Sequence, residues 1–244
     1  MGPFPDGVYR AQFPYYYRNP EGMPQEAALD YYLNSIKDVF EQCGPADSIA
    51  AIVVEPLQGE GGFIPAPIEW VKAVRKICDE NGILLVADEV QTGFCRTGRM
   101  FATQYWEEAG VQPDILATAK FIAAALKTIE IMERDHLAGC SCEIGEKVSK
   151  RFNEWKEKYP VIGDVRGLGG MIGLEFVKDQ KSKEPYPEFS AAVISGCAKK
   201  GLMIEGAGTY GNVIRFLAPL VMTDEQLEAG LDIYESVIKE LLEK

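Results

Sequence analysis

The stretch GILLVADEVQTG (residues 82–93) decides the fold. Its apolar run, Ile83–Ala87, stops at a carboxylate, Asp88. A short apolar run ending in one charged residue reads as a strand buried on both faces, delivering that residue to the rim of a parallel sheet. Two further stretches have the same form. AIVVEPLQGEGG (51–62) ends its run at Glu55, and DILATAK (114–120) ends at Lys120. Open α/β sheets bind ligands at that rim, outside the carboxyl ends of the strands.

Working outward, the order of elements supports a parallel sheet. A strand at Ile49–Val54 leads into a Gly-rich loop, Gly59–Gly62, and then a helix from Pro67 to Asn81. Pro67 near the start and Asn81-Gly82 at the end fit the usual helix-terminal signals. The strand Ile83–Ala87, a helix-like segment Thr103–Gly110 and a short strand Ile115–Thr118 follow. Strand–helix–strand–helix–strand predicts parallel pairing with helical crossovers. Upstream, Leu29, Tyr32, Leu33, Ile36, Val39 and Phe40 give Glu26–Cys43 a helical period. Residues 1–24 read as an irregular arm.

After Lys120 a helical stretch spans about 123–158, with a break expected near Gly139. Ile162–Asp179 carries five glycines among β-like residues and predicts a bent or bulged hairpin. A helix at Phe189–Lys200, a loop at Gly206–Asn212, a strand at Val213–Leu217 and a helix from Asp224 complete the chain. Thr223 and Gln226 have the spacing of a capping box. The expected fold is α/β: a mostly parallel sheet with helical crossovers forms a large domain over 1–135, and 136–244 forms a smaller C-terminal α+β domain.

Composition narrows the function. A net charge of −12 over 244 residues argues against nucleic acid and against anionic membrane surfaces. No apolar run reaches the length of a membrane span, and the first residues lack a basic segment followed by an apolar one, so no signal peptide is expected. The six cysteines are scattered, Cys140 and Cys142 are too close for the usual zinc pair, and His136 is the sole histidine. No metal site is expected. Reduced, structural cysteines suit a cytoplasmic protein.

The rim residues suit one chemistry. Alone, Asp88 could cap the following turn, and an isolated lysine is most often a surface residue. With Gln91 and Lys120 nearby, the set suits pyridoxal phosphate (PLP): a lysine amine for the Schiff base, and a carboxylate that keeps the pyridine nitrogen protonated. A partly desolvated lysine also serves as nucleophile and proton shuttle. Glu55 suits either an ion pair with a neighbouring cation or a functional role. The GEGG run (59–62) could cradle a phosphate but reads rather as a tight turn, and the glycines of 167–173 have the wrong spacing for a dinucleotide fingerprint.

AIVVEPLQGEGGFIPAP, GILLVADEVQTGFCRTGRMFA and PDILATAK, supported by VIGDVRGLGGMIGLEF and GTYGNVIRFLAPLVMTDEQLEAGL, together resemble class III PLP-dependent aminotransferases, 4-aminobutyrate aminotransferases in particular. The resemblance implies a partial PLP-transferase large domain and a homodimer. It implies that Asp88 pairs with the pyridine nitrogen, that Gln91 contacts the ring hydroxyl and that Lys120 is the catalytic Schiff-base lysine. Glu55 and Arg215 would manage the substrate, Arg215 gripping its α-carboxylate and Glu55 pairing with Arg215 when that carboxylate is absent. The partners would be a small-molecule amino donor, such as 4-aminobutyrate, and a 2-oxo acid, such as 2-oxoglutarate. A PLP-dependent amino-acid racemase needs the same Asp, Gln and Lys, and a truncated non-catalytic homologue is the third alternative. The chain also departs from the family pattern. Against that pattern a start in mid-fold and the absence of an internal piece after Lys120 are expected, and Cys95 stands where the family usually has glycine.

Overall fold

The computed structural model describes residues 6–118 and 122–243. Lys120 therefore lies outside the described residues. In chain order the elements are α1 (Gln25–Gln42), β1 (Ala51–Val54), β2 (Leu57–Gln58), β3 (Ile64–Pro65), α2 (Ile68–Asn81), β4 (Leu84–Asp88), α3 (Thr103–Glu108) and β5 (Ile115–Ala117). They continue with α4 (Ile122–Arg134), α5 (Leu137–Lys158), β6 (Ile162–Leu168), β7 (Met171–Phe176), α6 (Pro187–Lys199), β8 (Glu205–Ala207), β9 (Val213–Phe216) and α7 (Asp224–Leu242).

These elements form two compact units. Among described residues, the first holds 6–54, 66–88 and 105–117, and the second holds 55–65, 89–104, 118 and 122–243. The chain passes between them at 54/55, 65/66, 88/89, 104/105 and 117/118, not at a single boundary near 135. Three of those crossings follow the ends of β1, β4 and β5, which is how residues adjacent in sequence to a sheet rim come to be divided between two cores.

In the first unit β1, β4 and β5 form a parallel sheet in the order β1-β4-β5. The register pairs Val54 with Ala87 and Asp88 with Ala117. Trp70, Val74 and Cys78 recur every four residues on α2 and are buried, as are Ala28, Tyr32 and Ile36 on α1. They pack in one core with Leu85 and Ala87, and a fully buried large apolar side chain contributes about 1.5–3 kcal/mol. Gly82 ends α2 in the left-handed region at φ 67°, its N–H reaching Cys78 O. The strands are covered on one face only. On the other face Val53, Leu84 and Ile115 are exposed, which corrects the reading of strands buried on both faces.

The second unit is built on an antiparallel sheet in the order β6-β7-β9-β8. The β6–β7 hairpin carries a register irregularity between Ile162 and Asp164, the expected bulge. Phe152 and Trp155 of α5, Val193 and Cys197 of α6 and Tyr234 and Ile238 of α7 share a core with Leu174 and Phe176 of β7. Gly145 lets α5 touch the hairpin turn: a Cβ there would lie 1.9 Å from Gly169 O. Thr223 forms the expected capping box with Gln226. The break between α4 and α5 falls at His136, in the left-handed region at φ 52°, and not at Gly139, which lies inside α5.

Candidate active site

The first unit supplies one rim residue. Asp88 closes β4, the central strand, half-buried and paired in register with Ala117 of β5. Only Thr118 and Ala119 separate Ala117 from Lys120 in sequence. Ala117 is itself stationed by Asp114, just before β5, whose Oδ2 accepts from Leu85 N at 2.7 Å and from Arg75 Nη1 at 2.7 Å. The Arg75 hydrogen bond, then the Leu85 amide, hold the Asp114 carboxyl below its ordinary range.

The second unit gathers the remaining residues around Arg215. Arg215 lies on β9, directly opposite Glu205 of β8 and Gly173 of β7. Its side chain is 16% exposed. Nη1 donates to Glu60 Oε1 at 2.5 Å, and Nη2 donates to Glu205 Oε2 at 2.6 Å. Burial pulls the guanidinium pKa down, but the two carboxylates outweigh it and leave it raised. Glu60 also accepts from Gln91 Nε2 at 3.0 Å. The Gln91 amide, then Arg215, draw the Glu60 carboxyl below its ordinary range. Glu55 accepts from Gly59 N at 2.9 Å. The carboxylates paired with Arg215 are thus Glu60 and Glu205, while Glu55 caps the loop that carries Glu60.

Local backbone explains this cluster. The GEGG run is the turn joining β2 to β3, with the N–H of Gly62 and of Phe63 both directed at Gly59 O. Those two amides are used within the turn. Gly208 N donates to Glu60 O at 2.9 Å and fixes the turn beside the β8–β9 loop. A Cβ at Gly59 would lie 2.2 Å from Gln91 Oε1, so glycine leaves room for the Gln91 amide in its place beside Glu60.

Sequence reasoning passed over two residues. Glu89 is fully buried and accepts from Thr92 Oγ1, from Ala102 N at 3.0 Å and from Thr103 N at 2.7 Å. It is Glu89 that ties the loop after β4 to the start of α3. Glu60, an acidic residue in a glycine turn, gave no sign of its partner 155 positions away. Cys95, where the family usually has glycine, is buried and holds φ 67°, a conformation that glycine adopts without strain. Among the described residues no cluster could hold a metal ion, and no helix is long and apolar enough to cross a membrane.

Comparison with known proteins bears on the family and the fold. The family model described as Aminotransferase class-III matches residues 1–126 and 121–238. A probable 4-aminobutyrate aminotransferase of Bacillus subtilis is 37% identical over 274 aligned positions, covering 98% of this chain and 62% of the relative. An alanine/serine racemase of Pyrococcus horikoshii is 34% identical, covering 98% of this chain and 58% of the relative. The solved structure of an amine transaminase from an uncultivated Pseudomonas species, in its PLP-bound form, superimposes with a TM-score of 0.82 at 28% identity, covering 93% of this chain and 60% of the other. The chain spans about three fifths of the length of these relatives. The 274 aligned positions outnumber its 244 residues, so the Bacillus relative also carries positions without a counterpart here. The two stretches matched by the family model meet at 121–126, beside Lys120. Sheet, rim carboxylate and cluster of Arg215 therefore occur in a partial PLP-transferase fold, and the chain belongs to the class III aminotransferase family.

Proposed function

We propose that this chain serves PLP-dependent amino transfer from an amine or amino acid, such as 4-aminobutyrate, to a 2-oxo acid, such as 2-oxoglutarate. One observation carries the reading: the β4–β5 register sets Asp88 beside Ala117, just ahead of Lys120 in sequence. A carboxylate at the end of one strand and, in sequence, an amine three residues beyond the end of its parallel neighbour fit what PLP requires. When bound, PLP supplies an electron sink for the carbanion left as the substrate loses its α-proton.

The chain's own residues have separate tasks in this reading. Asp88 accepts the pyridine N–H and keeps that nitrogen protonated, through a charge-assisted hydrogen bond. Gln91 holds the ring hydroxyl. Lys120 would hold the cofactor through its side-chain amine; once the substrate amine has replaced it there, the freed amine would take the α-proton and return it as general base and acid. Arg215 grips the substrate α-carboxylate with its planar fork, and Glu55 steadies the turn beside it. The chain would act as a cytoplasmic homodimer.

The test is transfer itself. Full chain with PLP, 4-aminobutyrate and 2-oxoglutarate should form glutamate, detected by chromatography. Absence of glutamate with every amino donor offered would defeat the proposal. A second reading, PLP-dependent racemisation, draws support from the similarity to the alanine/serine racemase. Under that reading an L-amino acid alone yields its D-form, with no 2-oxo acid consumed.

A further inference from the structure

We propose that Glu205 is a positioning residue: it holds the Arg215 guanidinium in place for an incoming substrate carboxylate. The inference rests on the reading of Arg215 as the carboxylate-binding residue. The two residues face each other across the β8–β9 ladder. Directly opposite residues of antiparallel strands carry their side chains on one face, with Cβ atoms about 4.5–5.5 Å apart. Glu205 Oε2 accepts from Arg215 Nη2 at 2.6 Å. On its other flank Arg215 faces Gly173 of β7, which has no side chain to offer. A Cβ at Gly173 would lie 3.0 Å from Gly62 O, so the β2–β3 turn takes the space there. Within the sheet, then, the lateral support of Arg215 comes from Glu205.

Two effects of Glu205 oppose each other, and their sizes decide the sign. Its charge repels a second carboxylate. Its hydrogen bond removes rotamer freedom that the arginine would otherwise lose on binding. The Glu205 side chain is 71% exposed, so water screens the repulsion. The ordering of a long side chain is not screened in this way, and it outweighs the charge. The tie also sets direction. With Nη2 held to β8, the last strand in the sheet order, Nη1 is directed at Glu60 Oε1. Gln91 Nε2 reaches that same oxygen at 3.0 Å. The Nη1 edge of the planar fork is thereby turned toward the residue assigned to the cofactor ring. Without the tie, a carboxylate must order the arginine on arrival.

Titration calorimetry of the full chain with 2-oxoglutarate, at fixed pH and ionic strength, tests this. Glu205→Ala should weaken binding about tenfold, the cost of immobilising one long side chain on arrival. Glu205→Gln keeps an oxygen acceptor at the same reach and lacks the charge, so it should bind at least as tightly as the parent. Arg215→Gln should abolish binding. The urea midpoint of Glu205→Ala should match the parent, because the side chain is exposed. Unchanged or tighter binding in Glu205→Ala would reduce Glu205 to a screened charge, overturning the proposal while the reading of Arg215 stands. Equal weakening in Glu205→Ala and Glu205→Gln would tie the effect to charge and overturn it as well, and a lowered midpoint in Glu205→Ala would assign the loss to folding and do the same. Undiminished binding in Arg215→Gln, or a parent that binds no 2-oxoglutarate, would sink the reading of Arg215 and the proposal with it.

Discussion

Glu235 offers the sharpest test of what holds the second unit together. Its side chain, 12% exposed, accepts from Tyr159 Oη at 2.8 Å and Lys158 Nζ at 3.0 Å, and pairs with Arg151 at 3.2 Å and Lys239 at 3.2 Å. Burial alone would raise its pKa. The Tyr159, Lys158, Lys239 and Arg151 donors overcome burial and bring it from 4.5 down to about 2. A carboxylate depressed in the folded state stabilises the fold above its unfolded pKa, and that contribution is lost as pH falls through the folded value. The window therefore runs from about 4.5 down to about 2. The shift corresponds to at most about 3 kcal/mol, and solvent around the exposed lysines brings this to about 2 kcal/mol. Glu235→Gln keeps the shape and removes the charge. At pH 7 the variant should lose about 2 kcal/mol, or about 4–8 °C in Tm. Urea unfolding of the chain with Trp70 and Trp106 replaced by Phe, followed by the fluorescence of Trp155 in the second unit, at intervals from pH 7 to pH 2, measures the gap. It should narrow below pH about 4.5 and close near pH 2. A gap of constant size across that range would show that hydrogen-bond geometry, not charge, carries the effect.

Other expectations concern single contacts. Gly145→Ala drives a Cβ into the Gly169 carbonyl, where backbone must yield; a loss of about 1–3 kcal/mol in urea unfolding is expected, and an unchanged midpoint would deny that α5 touches the hairpin. Thr223→Ala removes the capping box of α7 and should cost about 1 kcal/mol in the same assay. Asp88→Ala should slow exchange of the substrate α-proton with solvent, read by NMR in deuterated buffer, by about 100-fold. Exchange at the parent rate would remove Asp88 from the site.

The sequence carried the local half of this structure. Apolar runs ending at Glu55 and Asp88 are strand ends because β-periodicity and burial are written within a few residues of each other. Thr223 and Gln226 made the capping box legible for the same reason. What stayed hidden depends on distant partners. Glu60 acquires meaning only from Arg215, 155 positions on, and Glu89 only from the amides of Ala102 and Thr103. The helix break was expected near Gly139 and falls three residues earlier, at His136, because a non-glycine residue in the left-handed region has no sequence signal comparable to a glycine. The domain reading assumed one boundary, whereas a chain threading strands of a parallel sheet returns to its core after each rim loop, and so crosses repeatedly. The exposed face of Val53, Leu84 and Ile115 was unreadable because apolar strands look alike whether one face or both are covered.

Covalent attachment of PLP is the most direct test of the central claim. The full chain is mixed with PLP, scanned for the visible absorbance of a lysine-bound cofactor, reduced with borohydride and digested for peptide mapping by mass spectrometry. The account predicts a yellow protein and reduced cofactor on the peptide carrying Lys120, with Lys120→Ala colourless and unlabelled. A colourless parent, or label that persists at another lysine in Lys120→Ala, would contradict it.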